Sequence, residues 1–314
     1  MAIAEPAAER YATQPVAKYV AATRPPFLLA SVAPVIIGLA TAYHDSVTLI
    51  AFTALLTLLG AMLVQAGVNV LNDYYDALNG TDAMNQERIY PFTGGSRFIQ
   101  NGVLSERETA VFGTLLFTAS AVIGLVLLPY AGFGLVGVGF AGLLIGWAYS
   151  APPLALNSRG FGELSVALGF GFLIPLGTDM VQRGDFAALP LLAAAPYALL
   201  VAGLLYINQF PDRLADAAAG KHHWVVRLGP PRARWGYLAL VLGAYGMLPP
   251  LVLVGALPVP ALLGLIALPL SLRAAADVLR FAATPARLAP AIRLTIAAML
   301  LHSVTLSLGL VLAA

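Results

Sequence analysis

Apolar stretches long enough to cross a bilayer recur from Phe27 almost to the end of the chain, separated by charged or Pro/Gly-rich breaks. Their pattern predicts nine helices, at about 26–43, 47–76, 108–128, 132–149, 161–180, 188–213, 234–256, 258–281 and 289–312. Each reaches or approaches the roughly 20 apolar residues that span about 30 Å of hydrocarbon. The shortest joints fall at 129–131 and near 257.

Composition places the chain in the same class. Of 314 residues, 60% are hydrophobic and 10% charged, and the mean hydropathy is +0.84, far from the average of soluble domains. An all-α integral membrane protein is expected, with residues 1–314 forming one transmembrane domain and no room for a second, soluble one. The opening MAIAEPAAERYATQPVAKYV carries charges and two prolines but no apolar core with a cleavage site, so residues 1–25 read as an interfacial segment rather than a signal peptide. The absence of cysteine excludes disulfides and thiolate metal sites. The net charge of +2 is uninformative by itself, though its distribution is not, and no nucleic-acid partner is expected.

The cations are distributed unevenly on the nine-helix map. Arg10, Lys18 and Arg24 precede the first helix, and Arg88, Arg97 and Arg107 lie between the second and third. Arg159 follows the fourth; Arg213, Lys221, Arg227, Arg232 and Arg234 join the sixth to the seventh; Arg273, Arg280, Arg287 and Arg293 surround the last joint. Sixteen of 17 therefore share one face, and only Arg183 falls on the other. By the positive-inside rule the N-terminus is cytoplasmic and the C-terminus outside. The long polar connections, and hence the chemistry, face the cytoplasm.

Two polar stripes stand out at that face. In a helix, residues four apart share one side, about 6 Å apart along the axis. In NVLNDYYDALNGTD, Asn69 and Asp73 are so placed, as are Asn72 and Asp76, with Asp82 beyond; in YINQFPDRLADAAAGK the spacing recurs as Asn208, Asp212 and Asp216. A single acidic helix end reads equally well as a solvated terminus. A matched pair suggests repeated helix hairpins around a central cavity that opens toward the cytoplasmic side and the bilayer. Gathering these carboxylates in a poorly solvated pocket is unfavourable unless a divalent cation neutralises them. Carboxylate and amide oxygens favour a hard ion such as Mg²⁺, held by Asn72, Asp76, Asp82, Asp212 and Asp216. Such an ion usually shares its sites with substrate phosphates, which points to a diphosphate. Arg88 and Arg97 after the first stripe, and Lys221 and Arg227 after the second, are candidate phosphate clamps.

Other features carry less. GFGLVG at 132–137 matches a dinucleotide fingerprint but lies in an uncharged span with no preceding strand, so its glycines read as helix contacts. Tyr149, Arg159 and Glu163 occupy a loop able to cap the pocket. His222 and His223 read as phosphate ligands, a proton relay or plain loop residues. Arg273 and Arg280 read as snorkelling anchors. Pro211 is expected to break the sixth helix just before Asp212.

At these motifs the sequence resembles the UbiA superfamily of membrane-embedded aromatic prenyltransferases. NDYYDALNGTD and NQFPDRLADAAAGK look like its two aspartate-rich motifs, and TRPPFLLASVAPVIIG, YSAPPLALNSRGFGE and VVRLG extend the likeness through most of the chain. The Gly80-Thr81-Asp82 ending and QERIYPFTGGSRFIQNGVLS look most like the branch that prenylates 1,4-dihydroxy-2-naphthoate in menaquinone synthesis. His222-His223-Trp224 and the NQFPD opening depart from the common pattern.

The resemblance implies transfer of a polyprenyl group from its diphosphate to an aromatic acceptor, with loss of the ring carboxylate if the acceptor is the dihydroxynaphthoate, in a bacterial or archaeal cell membrane. It implies Mg²⁺ across Asp73, Asp76, Asp212 and Asp216 as the catalytic set. Asn69, Asn72, Asp82, Arg88, Arg97, Tyr149, Asn208, Lys221 and Arg227 would bind substrate, and Asp73 or Asp212 would accept a proton. The alternatives are a prenyltransferase for another quinone or aromatic acceptor, or a cyclase of the same superfamily that quenches the allylic cation within its own chain. A transporter would place its polar helix breaks nearer the bilayer midplane.

Overall fold

The structure is a computed structural model that describes residues 4–314. Among the described residues it is all-helical. Nine helices form the bundle: α1 Pro25–His44, α2 Ala51–Leu78, α3 Glu106–Ala131, α4 Gly134–Ser150, α5 Gly162–Arg183, α6 Leu189–Ala218, α7 Pro230–Leu253, α8 Val259–Phe281 and α9 Ala289–Leu312. Eight are long and apolar enough to cross a membrane; α4, with 17 residues, is shorter.

The helix ends differ from the sequence pattern for local reasons. Helix α3 starts at Glu106 because Ser105 and Glu108 form a reciprocal capping box, each bonding the other's backbone N–H. It runs through Pro129 and stops at Gly132, whose φ of +69° turns the chain into α4. Helix α6 is not broken at Pro211. It continues to Ala218, because proline removes one N–H yet keeps a helical φ, and the surrounding helices bury Pro211. The second stripe therefore lies on continuous helix. In contrast, α5 is composite, with a π-helical stretch at Ala167–Leu173 between two α-helical parts.

Helices α1 and α6 are the most buried and α3 the least, so α1 and α6 form the centre and α3 faces outward. Tyr197, Ile207 and Phe210 of α6 pack in one core with Ile37 of α1, Tyr237 of α7 and Ile292 of α9. Polar pairs pin this arrangement: Ser31 donates to Gln65 at 2.5 Å, and Tyr197 donates to the Ala30 carbonyl at 2.7 Å. Arg183, the lone cation of the far face, pairs with Asp179 at 2.6 Å and with Asp45 at 2.8 Å. Before α1, the segment containing short helices Ala8–Tyr11 and Pro15–Ala22 folds over the α2–α3 connection. Tyr11 packs against Phe98, and Lys18 bonds Glu108 at 3.1 Å.

Candidate active site

A cavity of about 600 Å³ lies between α2, α3, α4, α5 and α6. One end is polar, lined by the stripes of α2 and α6. The other reaches Leu128, Thr178 and Val181 near the opposite ends of α3 and α5. Leu125, Val136 and Phe140 border the cavity and are also exposed on α3 and α4, so it meets the outer apolar surface there.

The polar end brings together residues far apart in sequence. Asn72, Asp76 and Asn69 from α2, Asp82 from the short helix Thr81–Met84, Tyr149 from α4, Asn208, Asp212 and Asp216 from α6, and Lys221 beyond it all border the cavity. Asp82 returns to the site because α2 ends at Leu78 and the chain reverses: Gly80 takes a φ of +79°, and Asn79 accepts from the Thr81 N–H at 2.9 Å. Gly95, with a φ of +75°, packs against the Asp82 carboxylate so closely that a Cβ there would overlap it. The paired glycines of TGGSR thus permit the contact.

Lys221 is the electrostatic centre of this end. Its ammonium lies 2.8 Å from Asp76 and 3.1 Å from Asp216, one carboxylate from each stripe. Burial pulls its pKa down, but Asp76 and Asp216 outweigh that and hold it above the ordinary lysine value. Asp76 also accepts from Asn72 and Asn79, both at 3.2 Å, and Asn72 reaches Ser150 at 3.0 Å. Asp212 accepts from Asn85 at 2.5 Å and from the Gly94 N–H at 3.4 Å. Asn69 donates to the Thr23 carbonyl at 3.0 Å. Asp82 is different: its Oδ2 is buried without a hydrogen-bond partner, and burial, then Asp76 and Asp73, push its pKa well above the usual carboxylate range.

Several sequence-derived assignments end elsewhere. Asp73 does not border the cavity; it accepts from Arg24 at 2.5 Å and from the Ser96 N–H at 3.2 Å. Arg88 bonds Glu5 at 2.8 Å and the Asn85 carbonyl at 2.5 Å. Arg97 donates to the Asp82 carbonyl, with Glu5 at 3.9 Å. Arg227 donates to the His222 and Arg159 carbonyls, at 2.5 and 2.8 Å. None of these three arginines borders the cavity, so they brace its loops instead of facing a phosphate there. Their carboxylate and carbonyl partners hold them away.

Arg24, Asn85 and His223 border the cavity, although the spacing of the stripes did not mark them. Arg24 caps α1 with a left-handed φ of +57°, a strained backbone for a non-glycine residue. Burial opposes its charge, but Asp73, Asp82 and Asp212 together raise its pKa. His223 meets Asp216 at 3.0 Å. The Arg-Pro-Pro of TRPPF and the double histidine were the available signals.

Among the described residues, no three His, Asp or Glu side chains are gathered as a metal cluster. The residues nevertheless suit a hard divalent cation. The donors are oxygens, Asp82 keeps an unpartnered buried oxygen, and a lysine ammonium already bridges the two stripes. If Lys221 serves as that internal counter-cation, Lys221→Met leaves two buried carboxylates uncompensated and destabilises the fold by about 3–5 kcal/mol. Thermal unfolding in detergent should show a lowered midpoint that added Mg²⁺ recovers. An unchanged midpoint would show that the bridge contributes nothing.

The chain matches the UbiA prenyltransferase family over residues 31–304. It is 32% identical over 301 residues to the 1,4-dihydroxy-2-naphthoate octaprenyltransferase of Mycobacterium leprae (strain TN), covering 95% of this chain and 97% of that one. Among solved structures, it superposes on a UbiA homolog from Aeropyrum pernix K1 with a TM-score of 0.68 at 16% identity, covering 88% of this chain and 96% of the other. A UbiA homolog from Archaeoglobus fulgidus bound to DMAPP and Mg²⁺ gives 0.61 at 17% identity, covering 95% and 100%. With the bundle, the paired stripes and this relationship in hand, the chain is a member of the UbiA prenyltransferase family.

Proposed function

We propose that this protein transfers a polyprenyl group from polyprenyl diphosphate to 1,4-dihydroxy-2-naphthoate, with loss of the ring carboxylate, in menaquinone synthesis. The observation that carries this reading is the meeting of two acidic stripes, from α2 and α6, at one end of an otherwise apolar cavity. The activity of the Mycobacterium leprae relative supports the acceptor, and the DMAPP and Mg²⁺ bound by the Archaeoglobus fulgidus homolog support the donor and the ion.

Mg²⁺ would be held by Asn72, Asp76, Asp82, Asp212 and Asp216, where it supplies positive charge to the diphosphate leaving group. Lys221 and Arg24 border the same end and add to that charge as the allylic C–O bond breaks. Asp73 contributes indirectly, by holding Arg24. The apolar walls keep water from the allylic cation until the ring carbon attacks it. A C–C bond forms, the ring carboxylate departs as CO₂, and its bonding electrons return to the ring. Asp212, which borders the cavity, would draw off a phenolic proton to raise the ring's electron density and return it to the same oxygen once CO₂ has left, giving the quinol. The prenyl tail lies along the apolar part toward the opening at α3 and α4.

The purified protein, given Mg²⁺, a polyprenyl diphosphate and 1,4-dihydroxy-2-naphthoate, is expected to release diphosphate and CO₂ together and to yield the prenylated naphthoquinol. Asp76→Ala and Asp212→Ala should each lower turnover by at least about 10²–10³-fold without affecting membrane insertion. Diphosphate release that needs no acceptor would point to a cyclase instead, and near-normal turnover in either variant would refute the site.

We also propose that the acidic end and the N-terminus face the cytoplasm, from the distribution of 16 of 17 cations. Because the chain has no cysteine, Ala7→Cys and Ala314→Cys can be labelled singly. A membrane-impermeant maleimide applied to intact cells should modify Cys only in the Ala314→Cys variant. The opposite pattern would invert the topology.

A further inference from the structure

The double histidine after Lys221 has no part in the chemistry described so far, yet His223 is 2% exposed and borders the cavity beside the second stripe. Its two ring nitrogens have different roles. His223 caps the short helix Trp224–Leu228, where Nδ1 lies 3.4 Å from the Val226 N–H. A backbone N–H can only donate, so Nδ1 must carry the lone pair. The ring proton is therefore on Nε2, which faces Asp216 Oδ2 at 3.0 Å and donates to it. The other oxygen of the same carboxylate, Oδ1, is the one held by Lys221 at 3.1 Å. The cap thus sets the tautomer, the tautomer makes Nε2 the donor, and the ring's position directs that donor to Oδ2.

We propose that His223 is a positioning residue for the divalent cation: it pins Asp216 through Oδ2, leaving Oδ1 as the oxygen offered to the ion when Lys221 gives way. The inference rests on the reading of Asp216 as a metal ligand given above. Hydrogen-bonded partners that orient a metal-binding carboxylate commonly contribute a factor of about 10–100 to metal affinity. His222, in contrast, uses its backbone to bond the Ser158 carbonyl at 2.6 Å and ties the loop to the α4–α5 connection.

The two nitrogens allow the positioning role to be separated from the structural one. His223→Asn keeps an acceptor near the Nδ1 position and is a favourable cap, but is too short to reach Asp216. His223→Gln keeps an N–H donor near the Nε2 position but caps poorly. His223→Ser is a second capping variant without reach. Binding of Mn²⁺ in the presence of inorganic diphosphate, followed by electron paramagnetic resonance, reports metal affinity without turnover, and thermal unfolding reports the cap.

His223→Asn and His223→Ser are expected to keep the unfolding midpoint while binding Mn²⁺ about 10–100-fold more weakly; His223→Gln should bind Mn²⁺ as the unsubstituted protein does, with a lower midpoint. Full affinity in both capping variants, or a loss in His223→Gln as large as theirs, would overturn the positioning role alone. If the unsubstituted protein binds no Mn²⁺ under these conditions, the reading of Asp216 as a ligand fails and this inference fails with it.

Discussion

Two carboxylates drawn from helices some 140 residues apart in sequence cannot share a buried pocket without a cation between them, and Lys221 is that cation here. Like charges in a low-dielectric setting repel strongly, and each loses hydration as it is buried. The bridge from Asp76 to Asp216 resolves both problems at once and fixes how closely the ends of α2 and α6 approach. The surrounding contacts follow from the same constraint. Arg24 is held in strained backbone where it neutralises Asp73, Asn85 and the Gly94 amide serve Asp212, and His223 serves Asp216. Asp82 Oδ2 on the first stripe's side and Asn208 Oδ1 on the second keep no hydrogen-bond partner, which makes the set receptive to more positive charge.

The bundle separates this charged end from an apolar volume. Helix α6 joins the two regions, since its middle packs Tyr197, Ile207 and Phe210 into the core while its last two turns carry Asp212 and Asp216 to the cavity. Continuity through Pro211 matters, because a break would have uncoupled the stripe from the buried part of the helix. At the other wall, α3 and α4 are lightly buried and let the cavity reach the apolar exterior. A substrate with a charged head and a long hydrocarbon tail meets a matching environment at each end.

The helices were legible because hydrocarbon imposes one requirement on every spanning segment, and the stripes because four-residue spacing fixes a shared helix face. Even the start of α3 was written locally, in Ser105 and Glu108. What sequence did not reveal depends on partners brought in from elsewhere. Arg88 and Arg97 sit near the first stripe along the chain, yet Glu5, from the segment folded over that loop, engages both. Arg227 turns to carbonyls of its own loop and of the α4–α5 connection. Arg24 precedes α1, far in sequence from either stripe, and joins them only because α1 packs against α2 and α6. Asp73 and Asp76 lie on the same helix end, but three residues of helical rotation put one against Arg24 and the other on the cavity.

The convergence of both stripes on one ion is tested most directly by diffraction from crystals grown with Mn²⁺ and a non-hydrolysable prenyl thiodiphosphate. Manganese anomalous peaks should lie between the α2 and α6 ends, with oxygen ligands from both the 72–82 and the 208–216 segments. Peaks confined to one stripe, or lying outside the cavity while the analogue is bound within it, would contradict that convergence.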